Sequence, residues 1–166
     1  MRSALLLVAA LALAGCRAGA QEQATILPID AAVLPGSAAG QMLHQCSRAV
    51  PQPGETAWQP GAGDVAALEQ ALPGALRGRP EIGGPLYPAD RDWARVPLGW
   101  QRQYVGLVRD GRRYVYGNYF PRRGDQPLDW HTQPVVVCDG GPVFFGVEWD
   151  VEARRFTHIA FNGSLG

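Results

Sequence analysis

The chain has no lysine, few cysteines and no long apolar run. Its 15 basic side chains are all arginine and balance 15 Asp and Glu, so the formal net charge at pH 7 is zero. A neutral protein has no general field that attracts nucleic acid, which argues against DNA or RNA as a partner. The longest apolar run, Ala4–Leu13, is about half as long as a membrane-spanning helix needs.

The first sixteen residues have the pattern of an export signal. Arg2 places a positive charge ahead of the apolar run, and Leu13-Ala14-Gly15-Cys16 follows it. This tetrapeptide resembles the lipobox of bacterial lipoproteins, a family in which the signal is cut before the cysteine. The resemblance implies acyl chains such as palmitate on Cys16. Because Arg17 stands where an Asp retains family members at the inner membrane of enteric bacteria, it also implies an outer-membrane protein facing the periplasm.

The three cysteines become two if Cys16 is acylated. Cys46 and Cys138 would then lie in an oxidising compartment, where an isolated pair most often forms a disulfide. The alternative is a reactive or metal-binding thiol, since His44 lies two residues from Cys46.

Composition divides the chain into three parts. Residues 1–15 are the predicted signal peptide, residues 16–39 a flexible tether rich in Ala, Gly, Gln and Pro, and residues 40–166 a single domain. The tether contains an apolar patch at residues 26–29, which we expect either to dock on the domain or to stay free.

Apolar residues recur at helical spacing in two places. Positions 38–48 predict a short helix that carries Cys46 and ends before Pro51. Asp64 predicts the cap of a second helix, with Pro73 ending or kinking it; its apolar stripe comprises Val65, Leu68 and Leu72.

Five strands follow after residue 100. They are predicted at residues 104–108, 114–120, 135–138, 143–150 and 156–161. Asp110-Gly111 is a strong two-residue hairpin signal between the first two. We therefore predict an α+β fold: an antiparallel five-stranded meander packed by one or two short helices, with one disulfide.

The last two strands predict a specific pairing around residues 152–153. Asp150 would lie opposite Arg155, and His158 would share a face with Trp149. A one-residue bulge would move His158 to the other face.

Three histidines and three carboxylates are candidates for chemistry. A zinc site would use His44, His131 and His158, which lack short paired spacing, so metal ligation is not favoured. A hydrolase would use His131 or His158 with a carboxylate. The alternating carboxylates near the end of one strand suggest either a metal or acid/base site or, more simply, a salt-bridged hairpin end with Arg154 and Arg155; they are Glu148, Asp150 and Glu152.

The aromatic and arginine residues of the loops suggest binding. Trp, Tyr and Arg dominate the energetic centres of protein interfaces. The predicted partner-binding residues are Trp93, Arg95, Arg122, Arg123, Trp130 and His131. In layout the chain is similar to the envelope-protection class, which includes lysozyme inhibitors and immunity proteins. We therefore expect a protein-binding module without catalytic residues or cofactor; the alternatives are an assembly lipoprotein of an envelope complex and the hydrolase.

Overall fold

The computed structural model describes residues 26–77, 79, 100–122 and 129–163. In chain order these form β1 (Ala31–Val33), a 3-10 turn (Gly36–Ala38), α1 (Ala39–Met42), β2 (Thr56–Trp58), α2 (Ala62–Leu76), β3 (Trp100–Arg109), β4 (Arg112–Pro121), β5 (Phe145–Asp150) and β6 (Arg155–Phe161). The α+β class is confirmed.

The sheet is mixed, so the prediction of a purely antiparallel meander was wrong. Strands β3 to β6 follow one another as an antiparallel meander. The outer edge of β3 is shared by β1, which is parallel to its first half, and β2, which is antiparallel to its second half. A ten-residue strand left open would expose a long row of unpaired backbone groups, and these two short strands cover it.

The segment before the predicted domain is part of the sheet. Residues 31–38, predicted to belong to the tether, contain β1 and the 3-10 turn, and Ala39 begins α1. The first predicted helix is also shorter than expected, because α1 ends at Met42 and not at residue 48. The Gln45 side chain donates to the Met42 carbonyl at 2.9 Å and so ends the helix locally.

Helix α2 begins earlier than predicted and continues through its proline. Gly61 is the N-cap of the helix, and Asp64 occupies the third helical position. The Asp64 carboxylate accepts a hydrogen bond from the Gly61 N–H at 2.9 Å and so caps the helix start. Pro73 lies within the helix, which ends at Leu76. The predicted apolar stripe of α2 is confirmed, because Val65, Leu68 and Leu72 are fully buried. Leu76 extends this stripe by one turn.

The β3–β4 hairpin has the predicted turn. Asp110 has φ 50° and Gly111 φ 69°, the left-handed pair that a tight two-residue hairpin requires. Further along β3, a Cβ on Gly106 would come 2.3 Å from the Trp58 carbonyl oxygen, so only glycine lets β2 pack this closely.

Two apolar cores lie on opposite faces of the sheet. The first core lies under α2 and contains the apolar stripe of that helix. Four aromatic side chains of the strands pack against the stripe: Trp100, Tyr104, Tyr119 and Phe145. The second is covered by irregular chain around α1 and residues 129–144; it includes Met42, Leu107, Tyr116, Phe120, Trp130, Val135 and Phe144. The disulfide between Cys46 and Cys138, which is confirmed, joins the two segments that cover this second face.

Residues 135–138 are not a strand, contrary to the prediction. The backbone groups of Val135 and Val137 form hydrogen bonds with side chains and not with a neighbouring strand. The Val135 N–H donates to the Gln103 side chain at 2.9 Å, and its carbonyl accepts from Asn118 at 2.9 Å. The Val137 carbonyl accepts from Asn162 at 2.7 Å. A β-branched run alone cannot distinguish these two ways of satisfying the backbone.

A bulge between Glu148 and Trp149 changes the pairing of the last two strands. Asp150 lies opposite Arg155 as predicted, but beyond the bulge Glu148 lies opposite His158. His158 is therefore on the face opposite to Trp149, and its predicted position was wrong. The extra residue reverses the side-chain alternation from that point onward.

Candidate functional site

The predicted partner-binding residues are only partly within the described chain. Trp93, Arg95 and Arg123 lie outside it. Arg122 follows β4, is 64% exposed and forms an ion pair with Asp30 beside β1. Trp100 pairs with Pro121, so the start of β3 and the end of β4 lie at the same end of the sheet. We call it the β3-start end.

Trp130 belongs to the core and not to the open surface. It is only 9% exposed, and its ring meets Phe120 edge to face at 6.2 Å between centroids. The His131 ring lies on it at 3.8 Å and remains exposed. Trp130 therefore supports His131, while His131 and Arg122 are the predicted binding residues that this part of the structure presents to solvent.

His131 has a carboxylate within hydrogen-bond reach, but the arrangement is a turn. Its Nδ1 lies 3.3 Å from Asp129 Oδ1, and both side chains are more than half exposed. The His131 N–H and the Thr132 hydroxyl also donate to Asp129. The hydrogen bond from the His131 backbone N–H, followed by that from the Thr132 hydroxyl, lowers the pKa of Asp129. This carboxylate is thus held ionised as the acceptor of an Asx turn.

The other two histidines take separate positions. His158 Nε2 donates to the Ala49 carbonyl at 3.0 Å, and His44 is exposed after α1. Glu148, opposite His158 across the strands, is already bonded to Arg109 and Thr157. Within residues 26–77, 100–122 and 129–163, no three His, Cys, Asp or Glu side chains form a metal-binding group.

The three alternating carboxylates form a row of ion pairs. The partners come from the neighbouring β3–β4 hairpin: Glu148 with Arg109 at 2.6 Å, Asp150 with Arg112 at 2.6 Å, and Glu152 with Arg113 at 2.9 Å. The salt-bridged interpretation is confirmed for this row, but the predicted partners Arg154 and Arg155 were wrong. Sequence proximity suggested residues across the turn, whereas the sheet brings a different strand alongside.

A buried polar network lies beneath α2. Arg102, 1% exposed, donates from Nε to Glu69 at 2.5 Å. Tyr104 donates to the same Glu69 carboxylate at 2.7 Å and lies 2.9 Å from the Tyr119 hydroxyl. Burial acts to lower the pKa of Arg102, but the hydrogen bond and charge of Glu69 outweigh it and raise the pKa. This network joins α2 to the first half of β3.

A second buried cation lies on the opposite face. Arg48 donates to Asn118 at 2.5 Å, to Asn162 at 2.8 Å and to the Tyr116 hydroxyl at 3.1 Å. Among the described residues, its Nε and the Glu148 Oε1 are buried without a hydrogen-bond partner. Sequence analysis missed Arg48, since nothing in Cys-Ser-Arg distinguishes a buried arginine from a solvated one.

A small cavity opens beside β2. Its volume is about 280 Å³, and the lining is mostly apolar and small: Gly36, Ala39, Gly40, Leu43, Pro53, Gly54, Thr56, Ala57 and Leu107. None of the predicted binding residues or histidines contributes to it. With no titratable side chain in its wall, it offers shape but no acid/base chemistry.

No family model, curated protein or solved structure matches this chain. In the part of the chain that the structure describes, no helix is both long and apolar enough to cross a membrane.

Proposed function

We propose that this chain is a bacterial lipoprotein anchored through acylated Cys16 in the outer membrane, facing the periplasm. Its domain then acts as a protein-binding module of the inhibitor or immunity class, directed against a toxin or lysozyme that works in the periplasm.

One observation carries the anchoring part of the proposal. The disulfide occupies Cys46 and Cys138, so Cys16 is the remaining cysteine, and it completes the lipobox pattern Leu13-Ala14-Gly15-Cys16. Several acyl chains stabilise membrane attachment by about 0.8 kcal/mol per buried methylene, which is sufficient for a permanent anchor.

The anchoring is tested in bacterial cells. The wild-type chain should carry acyl chains on Cys16 by mass spectrometry and fractionate with the outer membrane. Cys16→Ser should remain unprocessed and lose the acyl mass. Recovery of wild-type protein as a soluble, unacylated chain would contradict the anchoring.

Binding is proposed for the β3-start end. Arg122 and His131 are the exposed described members of the predicted set, and Trp130 holds the His131 ring in place. Because its ring is stacked on Trp130, His131 loses less conformational entropy on binding than an unsupported side chain would.

The binding proposal is tested with purified protein against a panel of lysozymes and periplasm-directed toxin domains. Arg122→Ala with His131→Ala should weaken binding and inhibition by about tenfold or more. Ala153→Ser, at the opposite end of the sheet, serves as the matched control. If no panel member binds while an envelope assembly complex is retrieved from cells, the inhibitor assignment fails and the assembly role replaces it.

A further inference from the structure

Two isoleucines project from a turn just before β1. Ile26 is 84% exposed and Ile29 is 90% exposed, and among the described residues they are by far the most exposed large hydrophobic side chains. A single exposed apolar residue is ordinary, but a pair on one short segment leaves apolar area in contact with water.

The turn is held firmly on the domain. Between the two isoleucines, Leu27 packs against the core beneath α2. The Ala31 N–H donates to the Pro28 carbonyl at 2.9 Å, which closes the turn, and the Asp30 carbonyl accepts the Arg102 N–H at 2.9 Å. Ile29 is therefore presented by a hydrogen-bonded turn, and Ile26 directly precedes the packed Leu27. We call this segment, residues 26–29, the apolar turn.

The apolar turn lies at the β3-start end of the sheet. Ala31 pairs with Arg102 near the beginning of β3, whereas residues 151–154 form the β5–β6 turn at the other end. Ten residues of strand separate these ends by roughly 30 Å. One end of the domain is thus marked by exposed apolar side chains.

The position of Cys16 indicates what covers this end. Only ten positions separate Cys16 from Ile26, so the chain between them spans at most roughly 35 Å in any conformation. A bilayer that holds the acyl chains therefore stays within reach of the apolar turn. Tethering makes the second contact intramolecular, so a weak apolar contact becomes effective.

The charges beside the turn suit a lipid surface. Asp30, the residue after Ile29, is paired with Arg122, whose side chain remains 64% exposed. This pairing reduces the repulsion between the Asp30 carboxylate and anionic headgroups.

We propose that Ile26 and Ile29 insert into the headgroup region of the anchoring membrane, so that the β1 edge of the domain is held against the bilayer, while His131, stacked on Trp130 of the core opposite α2, stays accessible to a partner. This inference rests on the proposed acylation of Cys16. The anchor supplies the affinity, and the apolar turn sets the orientation.

The test uses the full acylated protein in vesicles of phosphatidylethanolamine and phosphatidylglycerol. Ile29→Cys is labelled with an environment-sensitive fluorophore, because the remaining cysteines are acylated or in the disulfide. Ala153→Cys is the control position. At position 29 we expect a blue shift and quenching by nitroxide lipids; at position 153 we expect neither. Adding Ile26→Ser should weaken the quenching at position 29.

Each adverse outcome has a different signature. If the protein is acylated and bound but position 29 is no more quenched than position 153, the orientation is refuted while the anchor stands. A blue shift in an unacylated chain of residues 16–166 that carries Cys16→Ser, measured without vesicles, would show that residues 17–25 or a second copy cover the turn, which also refutes it. Protein without acyl mass would overturn the anchoring proposal itself, and with it this inference.

Discussion

Gly146 in β5 lies directly against the buried Arg48 side chain. A Cβ at this position would lie 2.4 Å from the Tyr116 hydroxyl and 3.0 Å from Arg48 Nε. Because Arg48 is held at the same time by three neutral acceptors, it cannot move away without losing them. A missing methyl group in a strand is therefore what allows a charged side chain to lie on the second face.

Gly146→Ala is expected to lower the free energy of unfolding by about 1–3 kcal/mol, since the added methyl overpacks a region of hydrogen-bonded side chains. Urea denaturation measures the change. Gly74→Ala is the matched control: it lies within α2 with no atom within 4 Å of the new Cβ, and should stabilise by about 0.5–1 kcal/mol. Equal effects of the two substitutions would contradict the steric account.

At the scale of elements, side chains of β3 and β4 form the hydrogen bonds with residues 130–135 that a neighbouring strand would otherwise form. Gln103 donates to the Trp130 carbonyl at 2.5 Å and to the Gln133 carbonyl at 2.7 Å, and accepts from the Val135 N–H. A primary amide has both donors and an acceptor, so one side chain satisfies three backbone groups. This explains how an irregular segment can cover a buried face.

Gln103→Ala should destabilise the protein by about 2 kcal/mol because it leaves these buried backbone groups unpaired. Hydrogen exchange at the Val135 amide should accelerate in parallel. Gln101→Ala is the control from the same strand and face, since its side-chain oxygen has no partner among the described residues. It should change stability by less than about 0.5 kcal/mol, and a comparable loss there would refute the bridging role.

At the scale of the whole molecule, buried tyrosines couple folding to alkaline pH. Burial raises the pKa of Tyr104, Tyr116 and Tyr119, so each keeps its proton in the folded state. The unfolded chain ionises near the ordinary tyrosine pKa of about 10. Stability from these groups is therefore complete below that pH and decreases as the pH rises above it.

An alkaline titration should show this coupling directly. These three tyrosines should ionise only as the fold is lost, so part of the tyrosinate absorbance should coincide with loss of near-ultraviolet circular dichroism. Protein unfolded in guanidinium should instead titrate in one step near pH 10. Complete tyrosinate absorbance while the circular dichroism remains native would show that the hydroxyls are accessible.

The disulfide constrains the largest part of the chain. It joins residues 92 positions apart and links the coverings of the second face. Cys46→Ser with Cys138→Ser should lower the free energy of unfolding by about 2–5 kcal/mol. Cys16→Ser in an unacylated chain of residues 16–166 is the matched control, because it replaces a cysteine without opening the disulfide loop. An unchanged denaturation midpoint for the double variant would contradict a structural disulfide.

The sequence by itself determined the features that depend on neighbouring residues. Helical spacing predicted the apolar stripe of α2, because hydrophobic periodicity is a local property of the sequence. Asp110-Gly111 predicted the β3–β4 hairpin, because a positive φ is also a local property. The α+β class also followed from local hydrophobic patterns. The Cys46–Cys138 pair followed from the cysteine count, since acylation of Cys16 leaves two cysteines. The lipobox is equally local, and remains a prediction.

Only the tertiary structure decided which distant groups meet. It brought β1 alongside β3, paired the three carboxylates with arginines of another hairpin, and moved His158 to the opposite face through one bulge. It also buried Arg48 and converted residues 135–138 from an expected strand into a segment bonded to side chains. These outcomes depend on the register and packing of residues far apart in sequence, which no local pattern encodes.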